Sequence, residues 1–183
     1  FFRISMNEIT LKHYYKTDNC SLYQCDNLEL MISLPDNYID LIYCDILYNT
    51  RRKFKDYDDN LGTPQEAILW YEPRLIEMRR ILKSSGSIYL QMDFRLVHYL
   101  KVKMDEVFGY NNFKNEIIWT YKSGGGSKKK YNEKKDSILF YSKSNNYIFN
   151  PVFQKRRIKF NYGFKQIRET KGKDENGYYY LTH

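Results

Sequence analysis

Apolar residues recur along the chain at two spacings, and each spacing predicts a different element. Continuous apolar runs that end in polar residues predict buried strands, whereas apolar residues three or four apart predict amphipathic helices. The strand-type runs are residues 22–25, 40–45, 87–92, 115–121 and 137–141. The helix-type stretches are residues 28–34, 63–83 and 96–108. This alternation predicts an α/β fold in which helices cover a largely parallel sheet.

The run that ends at Asp45 is the most informative of the predicted strands. It predicts a strand buried on both faces, with the polar residues up to Thr50 at the carboxyl edge of the sheet. Open α/β sheets bind their ligands at this edge. The strand before Asp26, the short helix after it and the Asp45 strand predict a right-handed β-α-β unit. Asp26 and Asp45 would then lie on one rim of the sheet.

The second helix carries clear start and stop signals. Thr63, Pro64 and Glu66 predict a capping box with a proline in the first turn. Pro73 is expected to kink or divide this helix, and Gly86 is expected to end it. The side chains expected to point inward are Leu69, Leu75, Met78 and Leu82.

Composition and charge indicate one compact domain and favour a polyanionic partner. The chain has 183 residues, of which 42% are hydrophobic and 17% aromatic, enough for a real core. Its formal net charge is +8, with lysines and arginines concentrated beyond residue 120. Such a surplus favours nucleic acid as a partner, although a solvated basic surface explains the charge equally well.

The cysteines and histidines indicate neither a disulfide framework nor a metal site. Cys20, Cys25 and Cys44 are irregularly spaced, which fits a reducing cytoplasm. No apolar run approaches the ~20 residues of a membrane span, and no secretory signal is visible. A cytoplasmic protein without a membrane partner is therefore expected. The histidines are scattered: His13, His98 and His183.

Several segments resemble, in the same order, parts of the β-group DNA amino-methyltransferases, which methylate adenine N6 or cytosine N4. Asp45 to Thr50 resembles their Asp-Pro-Pro-Tyr signature with its usual Asn-Thr sequel, although Ile46 and Leu47 replace both prolines. Gln91-Met92-Asp93 stands where this family often has His-Cys-Asp, and Lys135-Asp136 where it often has His-Asp. The other matching segments are residues 23–29, 79–86, 98–109, 115–119 and 138–143.

This resemblance implies a circularly permuted, Rossmann-like sheet that depends on S-adenosylmethionine. Residues 1–143 would form the substrate-base half of the methyltransferase domain, with a basic loop over residues 122–135. Residues 144–183, which are aromatic, basic and irregular, would begin a target-recognition region. The family's Phe-x-Gly-x-Gly cofactor loop does not occur in these residues, so the sheet is expected to be incomplete. An incomplete sheet would leave the Asp45 strand as an exposed edge that invites pairing with another chain.

The resemblance also assigns roles to individual residues. The Asp45 carboxylate and the Ile46 carbonyl would accept the N–H groups of the target amine, and Tyr48 would stack on the flipped base. Asp45 would also face the cofactor, and Asp26 would meet its adenosine end. Ordinary structural roles remain as alternatives: Asp45 as a turn cap, Tyr48 in the core and Asp26 as a helix cap. Asp93 could line the pocket, although a capping role is favoured.

The expected DNA contacts lie after the signature and in the basic loop. Glycines 124–126 would let the loop approach a phosphate backbone whose charge the neighbouring lysines neutralise. The spacing of a nucleotide-binding P-loop does not occur, and a plain disordered basic loop is the alternative. The residues expected to contact DNA are Asn49, Lys122, Lys128, Lys129 and Lys130.

These observations predict a site-specific DNA methyltransferase of the restriction-modification type that acts on adenine N6, because the signature begins with Asp rather than Ser. Its partners would be double-stranded DNA and a complementing C-terminal half, a dimer partner or a restriction subunit. Loss of both prolines predicts impaired catalysis, since a freer backbone holds a site less rigidly. The alternative is a non-catalytic DNA-binding remnant or a subunit of a split methyltransferase. RNA methylation is a third hypothesis.

Overall fold

The computed structural model describes residues 13–122, 128–152, 154–157, 172–175 and 177–182. The chain divides into two compact units, Phe1–Ile148 and Phe149–His183. In chain order, the helices and strands of the first unit are β1 (His13–Lys16), β2 (Ser21–Tyr23), α1 (Asn27–Ser33), β3 (Ile39–Asp45), β4 (Arg52–Lys53), β5 (Asp58–Asp59), α2 (Pro64–Ile81), β6 (Leu82–Met92), α3 (Val97–Phe108), β7 (Phe113–Thr120) and β8 (Lys135–Ser142). Those of the second unit are β9 (Gln154–Arg157), β10 (Gly172–Asp174) and β11 (Gly177–Thr182).

A four-stranded mixed sheet in the order β3-β6-β8-β7 forms the centre of the first unit. β3 runs parallel to β6, whereas β8 is antiparallel to both β6 and β7. Helices α2 and α3 contribute to the same core as β6 and β8, because Leu75, Leu90, Leu100 and Leu139 are all buried in one cluster. The predicted α/β class is confirmed, with an antiparallel part that the sequence pattern did not specify.

The predicted burial of β3 on both faces is wrong within this chain. β3 pairs with β6 on one side, and no strand among the described residues pairs with it on the other. Leu41 and Tyr43 lie on one face of β3 and are 58% and 57% exposed, whereas the opposite face packs against the core. The predicted β-α-β unit is also wrong, because β2 pairs with β1 in a separate antiparallel sheet. Asp26 and Asp45 thus do not lie on one rim of a common sheet.

Helix α2 begins as predicted and ends earlier than predicted. Both reciprocal bonds of the Thr63–Glu66 capping box are present, and the helix continues through Pro73 to Ile81 without dividing. Gly86 lies inside β6 rather than at a helix end. A Cβ there would stand 2.9 Å from the carbonyl oxygen of Asp40, so the close approach of the neighbouring backbone favours glycine. Of the four side chains expected to point inward, three are buried and Leu69 is 67% exposed.

The second unit contains an antiparallel sheet in the order β10-β11-β9. These short strands correct the expectation that residues 144–183 are irregular. Alternating apolar and polar positions are too few here for periodicity to show a strand. Within the described parts of both units, no helix is long and apolar enough to cross a membrane.

Candidate active site

The segment that resembles the methyltransferase signature leaves the sheet at the carboxyl end of β3. Asp45, the last residue of β3, stands in register with Gln91 of β6, and its side chain is exposed. The next residue turns inward, since Ile46 is 8% exposed and belongs to the core cluster. The chain therefore presents a carboxylate to solvent directly beside an anchored apolar side chain.

Two hydrogen bonds to backbone atoms fix residues 46 and 47, where the family has prolines. The Ile46 N–H donates to the Gln91 carbonyl at 3.3 Å, and the Tyr71 hydroxyl donates to the Leu47 carbonyl at 2.9 Å. Burial raises the pKa of Tyr71, so this donor keeps its proton. The Ile46 carbonyl accepts no hydrogen bond from any residue in the described part of the chain, and so remains available to a ligand.

The Tyr48 hydroxyl joins a buried polar network that the sequence did not predict. It donates to Oδ2 of Asp136 at 3.3 Å and accepts from Nε2 of Gln91 at 3.1 Å. Gln91 Nε2 also donates to Asp136 Oδ2 at 3.1 Å, and the Tyr43 hydroxyl donates to Gln91 Oε1. Burial and the nearby negative charge of Asp45 raise the pKa of Tyr48. Tyr48 is partly buried and packs against the core, so the alternative of a structural role for Tyr48 in the core is correct in part.

A buried carboxylate fixes the turn after Tyr48. Asp59 is 4% exposed and accepts the backbone N–H groups of Asn49 and Thr50, each at 3.0 Å, and the Thr50 hydroxyl. Asp59 therefore caps this turn, which was the ordinary structural alternative for Asp45. Asn49 adopts a positive φ of 56°, a conformation that asparagine tolerates better than most residues.

Asn49 does not present its side chain to solvent. It is 7% exposed. Its Nδ2 donates to the Gly62 carbonyl at 3.0 Å, and its Oδ1 accepts from the Leu61 N–H at 2.8 Å. These bonds tie the signature segment to the start of α2. The amide therefore has a structural role here, and the contact of Asn49 with DNA stays a prediction.

A cavity of about 520 Å³ opens beside the signature segment. One wall comes from the end of β3, a second from α2, and a third from the β4–β5 hairpin, whose Phe54 and Tyr57 rings stack at 4.7 Å. Cys44 also lines it, and burial raises the pKa of this thiol to about 11, so the thiol is protonated at neutral pH. The other lining groups include Asp45, Ile46, Leu47, Tyr48, Asp59, Trp70, Tyr71 and Arg74.

Asp26 contacts the edge of this cavity through a buried arginine. Its carboxylate caps α1 by accepting the Leu28 N–H at 2.8 Å, and forms an ion pair of 2.7 Å with Arg74. Arg74 is 5% exposed, and its guanidinium lies 3.4 Å from the centre of the Trp70 ring. The helix-cap alternative for Asp26 is confirmed, whereas Asp26 itself does not line the cavity.

The remaining predicted residues lie apart from the cavity. Lys122, Lys128, Lys129 and Lys130 are exposed, and Lys130 pairs with Glu133 at 2.8 Å. Glycines 124–126 lie outside the described residues. Asp93 accepts the Arg95 N–H at 2.9 Å, so it caps the turn before α3 rather than α3 itself.

Sequence reasoning missed four residues of this site: Tyr71, Arg74, Gln91 and Asp136. A signal existed for three of them. Gln91 and Asp136 occupy positions where the resembling family carries other polar residues. Arg74 could have been suspected as a charged residue on the buried side of an amphipathic helix. Within the described residues, no cluster of three or more His, Cys, Asp or Glu side chains is placed to hold a metal ion.

The mixed sheet and the cavity at the carboxyl end of β3 define an α/β domain of the methyltransferase type. The family model N6_N4_Mtase, a DNA methylase, matches residues 39–182. The chain belongs to this DNA methylase family. The resemblance stated from the signature segment is therefore confirmed.

Individual relatives and a solved structure agree with this membership. Type II methyltransferase M.KpnI of Klebsiella pneumoniae is 30% identical over 154 residues, which cover 78% of this chain and 37% of the relative. Type II methyltransferase M.EcaI of Enterobacter cloacae is 36% identical over 122 residues, which cover 63% of this chain and 27% of the relative. The PvuII DNA methyltransferase (cytosine-N4-specific) superposes with a TM-score of 0.56 at 19% identity, covering 75% of this chain and 54% of that structure, and shows the fold alone. The chain spans less than two fifths of the length of the two relatives.

Proposed function

We propose that the protein transfers a methyl group from S-adenosylmethionine to the N6 amine of adenine in double-stranded DNA. The observation that carries the proposal is the grouping of Asp45, Ile46 and Tyr48 on one cavity. A carboxylate, a free backbone carbonyl and an aromatic ring are the groups needed to receive an extrahelical base with an exocyclic amine.

The proposed chemistry depends on hydrogen-bond acceptors, because an exocyclic amine is a poor nucleophile while its lone pair is delocalised into the ring. Asp45 and the Ile46 carbonyl would accept its two N–H groups and draw the nitrogen towards a pyramidal geometry. The nitrogen would then take the methyl group as the bond between its carbon and the sulfonium sulfur breaks, which would leave a neutral thioether. The methylated nitrogen would lose one proton to water. Tyr48 would stack on the base, which is worth about 1–3 kcal/mol and helps to offset the cost of unstacking.

The residues around the cavity fit the proposed cofactor. S-adenosylmethionine combines an adenine ring with a positively charged sulfonium centre and would supply the methyl group. The partly exposed Trp70 offers aromatic surface, and the exposed carboxylate of Asp45 complements a positive charge. Asp26, expected at the adenosine end, would act indirectly by holding Arg74, because its carboxylate already accepts from Arg74 and from α1.

The loss of both prolines argues less strongly against catalysis than the sequence suggested, because other contacts restrict the backbone there. The Ile46 N–H has a partner in Gln91, and the Leu47 carbonyl has one in Tyr71. These bonds restrict the backbone where the proline rings would otherwise do so. They favour the catalytic function over the second candidate, a non-catalytic DNA-binding subunit that a complementing half, a dimer partner or a restriction subunit would complete.

The proposed choice of adenine rests on Asp45 standing at the first position of the signature. Incubation of the protein with unmethylated genomic DNA and tritiated S-adenosylmethionine, followed by digestion to nucleosides, should place the label in 6-methyladenine. Label in 4-methylcytosine would contradict the choice of base. DNA binding without any label would favour the non-catalytic subunit.

DNA contact is proposed for the exposed lysines at positions 122 and 128–130. Replacement of Lys128, Lys129 and Lys130 by alanine should reduce the salt dependence of duplex binding by up to about 0.9 in log–log slope for each phosphate that a lysine no longer neutralises. The matched control replaces the exposed cations Arg52, Lys53 and Lys55 of the β4–β5 hairpin by alanine. An equal reduction in both variants would assign the effect to net charge rather than to the basic loop.

A further inference from the structure

Two buried polar side chains that the proposed chemistry does not use converge on the Tyr48 hydroxyl. Gln91 projects from β6 and Asp136 from β8, and they are only 4% and 8% exposed. Each lies within hydrogen-bond distance of the Tyr48 oxygen and of the other, at 3.1 to 3.3 Å. Polar side chains buried to this degree are costly unless their bonding is complete, and here they complete one another.

The bonding directions around the Tyr48 oxygen match those of a hydroxyl group. A tyrosine hydroxyl has one proton to donate and lone pairs that accept. Asp136 takes the proton, while Gln91 donates to the oxygen from a neighbouring strand. The Gln91 amide is itself held, because its Oε1 accepts from Tyr43 and its Nε2 also donates to Asp136. Side chains from two strands, β6 and β8, therefore fix the hydroxyl end of Tyr48 by hydrogen bonds.

We infer that Gln91 and Asp136 are positioning residues that hold the Tyr48 ring in the orientation that receives the target base. The inference rests on the proposed function, in which Tyr48 stacks on that base. Tyr48 lines the cavity, whereas Gln91 and Asp136, which bond to its hydroxyl, are not among the lining residues. A ring anchored at its tip loses little freedom when a base stacks on it, so the orientation is prepared before binding.

The charged groups around the Tyr48 hydroxyl affect the pKa of this phenol, which makes the inference testable by titration. Asp45 faces it from the end of β3 and Asp136 from β8, and both carboxylates oppose loss of the phenol proton. Asp93 and Tyr121 interact electrostatically with Asp136. Gln91 acts in the opposite direction, since its N–H donation stabilises the phenolate. Removal of Asp136 and removal of Gln91 should therefore shift the titration of this phenol in opposite directions.

Replacement of Tyr48 by 3,5-difluorotyrosine brings the phenol titration into a pH range where proteins stay folded, and absorbance then reports it. Asp136→Asn should lower the pKa of the label, and Gln91→Leu should raise it. Asp58→Asn, which removes an exposed carboxylate of the β4–β5 hairpin, is the control and should leave it unchanged. If Gln91→Leu does not fold, the isosteric Asp136→Asn decides alone. If Asp136→Asn leaves the pKa of the label unchanged, the inference is overturned.

The positioning effect itself is measured by capture of 2-aminopurine placed opposite an abasic site in a short duplex. Tyr48→Phe keeps the ring and removes the hydroxyl, and should weaken capture about fivefold, as loss of one net hydrogen bond predicts. Asp136→Asn should weaken capture in the parent protein and add nothing in the Tyr48→Phe background. Additive losses would overturn the inference. If Tyr48→Ala leaves capture unchanged, the proposed base stacking fails, and the label titration still decides whether the network holds Tyr48.

Discussion

Strands β3 and β6 are parallel neighbours of similar apolar character, yet they have opposite environments. β6 lies between β3 and β8, and its side chains Ile88, Leu90 and Met92 are fully buried. β3 has a neighbour on one side among the described residues, and its Leu41 and Tyr43 are more than half exposed. An apolar strand is therefore buried only on a face that other elements cover, and one face of β3 lacks such cover among the described residues.

The candidate site combines these two environments. Asp45 stands at the end of the exposed strand, but the groups that hold the residues after it belong to the interior. Gln91 comes from β6, Asp136 from β8 and Tyr71 from α2. The reactive end of β3 thus owes its geometry to the buried part of the sheet and not to β3 itself.

The largest contrast is expected from matched leucine substitutions in the two strands. Leu90→Ala in β6 should lower the free energy of unfolding by about 2–5 kcal/mol, because a fully buried leucine leaves a cavity. Leu41→Ala in β3 should change it by less than about 0.5 kcal/mol, because that side chain is already exposed. Urea unfolding followed by circular dichroism measures both values. Equal losses would show that β3 is covered in solution.

A second contrast tests whether the turn after β3 depends on the β4–β5 hairpin. Asp59→Ala should lower the free energy of unfolding by about 1.5–3 kcal/mol, because three donors lose a buried charged acceptor. The neighbouring Asp58→Ala is the control, since Asp58 is exposed and its loss should stay within about 0.5 kcal/mol. A small loss in Asp59→Ala would mean that β3 orders this turn without help.

The smallest expected change in the free energy of unfolding comes from the start of α2, which lies outside strands β3 and β6. Thr63→Ala should cost about 1 kcal/mol, the usual value of a helix N-cap. Hydrogen bonds from the backbone and side chain of Thr63 lower the pKa of Glu66. The contribution of the Glu66 carboxylate is therefore present above its unfolded pKa and lost as pH falls through its folded pKa. Unfolding at several pH values should show the Thr63→Ala difference shrinking at low pH.

Features set by local sequence were predictable, and features set by distant partners were not. The Thr63–Glu66 cap and helix α3 follow from spacing within a few residues. The pairing of β2 with β1 and the exposure of β3 depend on which strands are present to compete. Likewise the signature residues were predictable from resemblance, but the partner of Tyr48 lies 88 residues away on another strand.

The central claim is that Asp45 activates the amine of an extrahelical base, and methyl transfer under single-turnover conditions tests it most directly. The parent protein and Asp45→Asn are compared on unmethylated genomic DNA with tritiated S-adenosylmethionine, and Asp58→Asn serves as the control. Asp45→Asn should lose at least a hundredfold in rate, because an amide is a weaker acceptor and presents N–H groups to the amine; removal of one preorganised catalytic hydrogen-bonding group costs about 10²–10³ in rate. Asp58→Asn should keep the parent rate. An Asp45→Asn variant that transfers methyl groups as fast as its parent would contradict the account.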